Sequence, residues 1–140
     1  MTSDRPHVRS IETNDLPLFE ENAPLIASFL GRGVNYLGVA PSGEIIAAGG
    51  VVPLHPGVAH GWFALGSALP EFRVWAVRTV KSRMIEACKA FAIHRLQTPI
   101  LATEPKHAAF CEALGFTREG LMRSFGSDGA DYFLYARVKG

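Results

Sequence analysis

The side chains in this chain that can move protons or attack carbon are few and scattered. Cys88 and Cys111 are its two thiols, and both fall in stretches that read as helix. A thiol serves as acid or nucleophile only where its surroundings tune its pKa. Cys111 lies between Phe110 and Leu114, so packing is the simpler expectation, and buried free thiols are expected at both positions. His55 and His60 flank a turn. Either could act as a base near neutral pH, though plain loop exposure is the simpler expectation. His107 follows Lys106 at the start of a late helix, where a surface role is expected. Glu44 and Asp131 sit in turns whose chemistry accounts for them. No spacing suits a metal, and there is no nucleophile elbow and no P-loop.

Composition narrows the class before any site is assigned. The 140 residues predict one domain, spanning 1–140. Hydrophobic content of 48% with 19% charged residues predicts a globular chain rather than a disordered one. A net charge of +1 gives no reason to expect nucleic acid or an anionic membrane as partner. No apolar run approaches the ~18 residues of a membrane span, and the first ten residues lack the core of a secretory signal. A soluble protein in a reducing compartment is expected.

The elements that must position those side chains follow from punctuation and periodicity. His7–Ile11 alternates and predicts a short strand. Residues 14–31 predict helix, break, helix, with Asn14-Asp15 as start, Pro24 reopening the helix and Gly31 ending it. Val34–Ala40, Ile45–Leu54 and Ala59–Ala68 predict a three-strand antiparallel meander. Its middle strand is nearly all apolar, so a central place covered on both faces is expected. Gly49 and Gly50 within it predict a bulge or a close backbone approach. Phe72–His94 predicts a long helix with Trp75, Val80, Met84, Cys88 and Phe91 along one stripe. Leu96–Ala102 predicts a strand that is at an edge or bulged, because Pro99 cannot donate to a ladder. Pro105–Leu114 predicts a helix closed by Gly115, and Phe116–Arg123 with Tyr132–Val138 a final hairpin. The order is β-α-α-β-β-β-α-β-α-β-β, an α/β (α+β) fold with a mixed sheet.

Within that order, Phe110-Cys111-Glu112-Ala113-Leu114-Gly115-Phe116-Thr117-Arg118-Glu119-Gly120 resembles the C-terminal signature of the GNAT superfamily of acyl-CoA-dependent N-acetyltransferases. Gly129–Arg137 resembles that superfamily's last strand, and the element order agrees over residues 8–138. The resemblance implies a mostly antiparallel sheet flanked by helices. It also implies acetyl-CoA as cofactor: pantetheine beside the third meander strand, and the pyrophosphate on a Gln/Arg-x-x-Gly-x-Gly/Ala loop opening the long helix. A tyrosine in the later helix would be the general acid, and His55 and His60 would lie near the acceptor amine.

Counting back from Leu114-Gly115-Phe116 places the pyrophosphate loop on Phe72-Arg73-Val74-Trp75-Ala76-Val77, with Arg73, Trp75 and Val77 where the superfamily has small residues. Cys111 falls where the tyrosine is implied. Trp75 reads best as a core anchor, and Arg73 and Arg78 as a solvated helix face. Two functions follow. One is a non-catalytic or weakly active binding or structural derivative, loosely similar to accessory or internal virion proteins of short-tailed phages, needing no cofactor. It would act in the host cytoplasm or the virion, with a protein partner or a second copy. The other is an active N-acetyltransferase of a primary amine, with Arg73 and Arg78 on the pyrophosphate, the backbone of Leu65, Gly66 and Ser67 on pantetheine, and Cys111 as acid.

Overall fold

A computed structural model describes residues 5–139. Seven strands form one sheet in the order β1-β2-β3-β4-β5-β7-β6. They are β1 (His7–Ser10), β2 (Val34–Val39), β3 (Ile45–His55), β4 (Val58–Leu65), β5 (Arg95–Leu101), β6 (Thr117–Met122) and β7 (Tyr132–Val138). Every neighbouring pair is antiparallel except β4 and β5. The helices are a 3-10 helix (Thr13–Asn22), α1 (Ala23–Phe29), α2 (Arg73–Ala90) and α3 (Pro105–Ala113). None among the described residues is long and apolar enough to cross a membrane.

The two faces of the sheet carry separate cores. Ala76, Met84 and Ala87 of α2 and Phe110 and Cys111 of α3 pack with Ile46, Val51, Ala59, Leu96 and Tyr135 on one face. Phe19 of the 3-10 helix and Ile26 of α1 pack with Leu37, Val39 and Ala48 on the other. The expected break between the first two helices lies at Glu20, a non-glycine residue at φ 50°. The start of the 3-10 helix is tied to β1 by a two-pronged ion pair, Arg9 to Asp15, with both N–O distances 2.7 Å. The same carboxylate accepts the Glu12 N–H at 2.8 Å.

Helix ends follow local chemistry. Gly115, at φ 94°, lets α3 stop: its N–H donates to the Glu112 carbonyl and the Phe116 N–H to the Cys111 carbonyl. The same motif ends α2 four residues short of the expected His94. There Ala92 takes the left-handed position at φ 54° and the Ile93 N–H donates to Cys88. Alanine sends no stop signal, which is why the sequence predicts a longer helix.

Two strand expectations need correction. Pro99 is neither at a sheet edge nor at a bulge. It sits in β5, inside the sheet between β4 and β7, at a level where β4 no longer pairs with β5, so no ladder to β4 is interrupted. Gly49 and Gly50 make no bulge; the irregularities in the pairings of β3 lie at Gly38/Val39 on its β2 side and at Pro53/His55 on its β4 side. Close approach is what the two glycines permit. A methyl group on Gly50 would run into the Asn35 amide and stand 2.5 Å from the Trp62 indole nitrogen.

Candidate functional site

At the centre of the sheet two neighbouring strands part. β4 and β5 pair only over Val58–His60 against Arg95–Gln97. Beyond that level the two strands continue to Leu65 and Leu101 with no ladder between them. A parted pair of parallel strands leaves backbone donors and acceptors facing a gap, which is a natural place for an extended ligand.

Aromatic side chains from α3 close on this part of β4. The Phe63 ring lies 5.8 Å from His107, nearly parallel at 21°, and 5.2 Å from Phe110. His107 is thus not the free surface residue expected from the sequence. It is half-buried, and its Nδ1 is sealed from solvent without a hydrogen bond, 3.8 Å from a Glu104 carboxylate oxygen.

On the opposite face, His60 marks the last paired level. The sequence reads it as an exposed histidine next to a turn; in the structure it lies in β4, half-buried, 5.4 Å from the Phe29 ring. Trp62 stacks on Phe29 at 5.8 Å and donates its indole N–H to Asn35 Oδ1 at 2.8 Å. The Asn35 amide donates to the Phe29 and Arg32 carbonyls at 3.0 and 3.3 Å, so this buried group is satisfied and pins the end of α1 to the sheet. His55 ends β3 and is exposed.

Burial, and secondarily the positive charge of Arg32, hold the His60 pKa below its ordinary 6.5. Between the lowered value and the ordinary one, the unfolded chain holds a proton that the native chain refuses. The contribution of His60 to stability is therefore complete above the ordinary value, falls as pH drops through it, and levels off below the native value. The difference in urea midpoint between the native protein and His60→Gln, followed from about pH 8 to 5, is expected to narrow toward acid. A constant difference would contradict the assignment.

The residues singled out from the sequence do not converge. Leu65 ends β4 opposite Ala47. The Gly66 N–H donates to Ile46 at 2.9 Å and the Ala68 N–H to Ile45 at 3.1 Å, so this backbone is turned toward β3. Ser67 donates its hydroxyl to Glu44 Oε2 at 3.0 Å. Arg73 opens α2 and is exposed, as is Arg78. Five residues apart on a helix, they project about 140° apart around its axis. Trp75 packs on β2: a methyl on Gly38 would lie 3.2 Å from its ring, as expected of a core anchor. Cys111 is wholly buried, and burial with the neighbouring Glu112 pushes its thiol up to about 12, so it stays protonated. Tyr135, also wholly buried, donates its hydroxyl to Glu112 at 3.2 Å and accepts from Arg118. Among the described residues no group of three or more His, Cys, Asp or Glu could hold a metal.

A coenzyme A pyrophosphate needs several bare backbone N–H groups at a helix start. The first turn of α2 instead carries Arg73, Val74 and Trp75, and Phe72 precedes it. These residues do not fit that group in the usual way.

No family model matches the sequence, and no curated protein is similar enough to count as a relative. Solved structures do resemble it. A ribosomal alpha-N-protein acetyltransferase in complex with coenzyme A superposes with a TM-score of 0.74 at 15% identity, covering 99% of this chain and 97% of that one. A structure assigned as a phosphinothricin N-acetyltransferase gives 0.74 at 16%, covering 96% and 99%. A spermidine N-acetyltransferase from Vibrio cholerae gives 0.70 at 12%, covering 98% and 95%. At these identities the likeness shows the fold, and that fold is the GNAT acetyltransferase fold.

Proposed function

We propose that this chain uses the GNAT fold without efficient acetyl transfer, as a binding or structural protein. The observation that carries the proposal is the first turn of α2. Arg73 and Trp75 stand at positions where the resemblance implies bare backbone for the cofactor, and Trp75 is committed to packing on Gly38. Three further features support it. Phe63, His107 and Phe110 stack beside the parted strands. Cys111 is a sealed thiol in place of an acid, and the Tyr135 hydroxyl is occupied by Glu112 and Arg118. The loose likeness to accessory or internal virion proteins of short-tailed phages extends the proposal to that setting, in the host cytoplasm or the particle. Its partner there would be a protein or a second copy of this chain.

The expected result is that the protein, incubated with acetyl-CoA and a panel of primary amines including a polyamine and a peptide with a free α-amine, releases no coenzyme A thiol above the spontaneous rate. Amine-dependent release that is saturable in both substrates would overturn the proposal.

A second function keeps acetyl-CoA as cofactor and a primary amine as acceptor. It is favoured by one observation, the parting of β4 and β5, which is where pantetheine would lie. In that case Arg78 grips the pyrophosphate, and Arg78→Ala weakens acetyl-CoA binding about tenfold, equivalent to ~1.4 kcal/mol. In a chain that does not hold the cofactor, the substitution changes nothing.

A further inference from the structure

The space between α2 and the sheet is incompletely filled. Gly38, Gly49 and Gly61 line it from β2, β3 and β4, and Trp75, Val80 and Met84 line it from α2. A pocket with room of about 80 Å³ remains between them, partly open to solvent, and its lining is almost wholly apolar. Larger residues on the sheet side cannot simply occupy it. A methyl on Gly49 would meet the Trp62 carbonyl at 2.9 Å, and one on Gly61 would meet Leu96 at 3.3 Å. Enlarging Gly49 pushes on the backbone of β4, and enlarging Gly61 pushes on the Leu96 side chain, so neither simply fills the void. The Arg83 guanidinium, 5.3 Å from the Tyr36 ring centroid, borders the cavity as a cation–π pair.

We propose that this cavity is a binding site for a small, uncharged, apolar molecule. Water needs two to four polar partners in such a space, and this lining offers too few. A charged or strongly polar guest would lose its hydration without compensation. Size sets the scale: an enclosed apolar cavity of about 150 Å³ holds one benzene, so the sheltered part of this pocket suits xenon or a hydrocarbon of about three or four carbons. The site does not depend on whether the parted strands accept acetyl-CoA. Of their residues beyond the last paired level, it is bordered by Gly61, Phe63 and Thr98 on the α2 face, and by Trp62, whose ring stacks on Phe29 across the sheet.

The test uses the intact protein with xenon and propane as probes and the Met84 methyl resonance as reporter. Both probes are expected to shift that resonance saturably, and to raise the thermal midpoint with the logarithm of probe concentration. Naphthalene, which is too large, is expected to do neither. Filling the cavity from the helix with Ala76→Leu is expected to abolish the probe-induced shift. Thr79→Leu fills it from a half-exposed position and serves if Ala76→Leu does not fold. The proposal is overturned if neither small probe shifts Met84, if naphthalene shifts it equally, or if the shift persists in the folded filled variant.

Discussion

Gly50→Ala is expected to destabilise the protein by about 3–5 kcal/mol, a large part of the ~5–15 kcal/mol typical of a domain. The new methyl group would collide with the Asn35 amide and crowd the Trp62 indole nitrogen and the Val34 carbonyl. Relief requires breaking the Trp62–Asn35 hydrogen bond, which leaves a buried amide short of a partner and frees the end of α1. Gly120→Ala is the matched control. It lies in exposed β6 with nothing within 4 Å of an added methyl group, so a change within about 0.5 kcal/mol is expected. Urea denaturation of the two variants tests this directly. Equal midpoints would mean that the Asn35–Trp62 tie is not what holds α1 to the sheet.

Phe110→Ala is expected to cost about 3–5 kcal/mol as well, by a different mechanism. Phe110 is almost fully buried and contacts the Phe63 ring. Truncation removes its transfer free energy and leaves a cavity under α3, where the neighbours are themselves packed. Phe110→Leu keeps most of the volume and is expected to cost less than about 1.5 kcal/mol. The midpoint should fall in both with the denaturant slope unchanged. A Phe110→Ala midpoint within error of the native one would show that α3 is not anchored on β4 through this residue.

Much of the fold is legible in the sequence because each boundary has a local cause. Gly115 ends a helix by its positive φ, Pro24 and Pro105 open helices, and the near-continuous apolar run of β3 marks a strand covered on both faces. Where a boundary has no local cause, the sequence misleads. Ala92 ends α2 without a glycine, and Pro99 is tolerated inside the sheet because β4 has already parted from β5 at that level. The site is less legible for the same reason. The Phe63–His107 stack joins residues 44 positions apart on separate elements, and neither carries a signal of the other. Alternation along β4 does place Phe63 on the face of Ala59 and Gly61, toward α2 and α3, and that is the available clue. Asn35 offers a second one, a polar residue within an otherwise apolar strand whose partners come from α1 and β4.

That the first turn of α2 carries no glycine is legible from sequence alone. The structure adds where the replacing side chains go. Trp75 is spent on Gly38, and Arg73 and Arg78 diverge around the helix instead of meeting.

The most direct test of the claim that the cofactor site is lost is a calorimetric titration of the native protein with acetyl-CoA, repeated with Arg78→Ala. The predicted result is no saturable heat at concentrations up to about 1 mM and no difference between the two proteins. Saturable micromolar binding by the native protein, weakened about tenfold in Arg78→Ala, would contradict the claim and show a cofactor site of unusual grip.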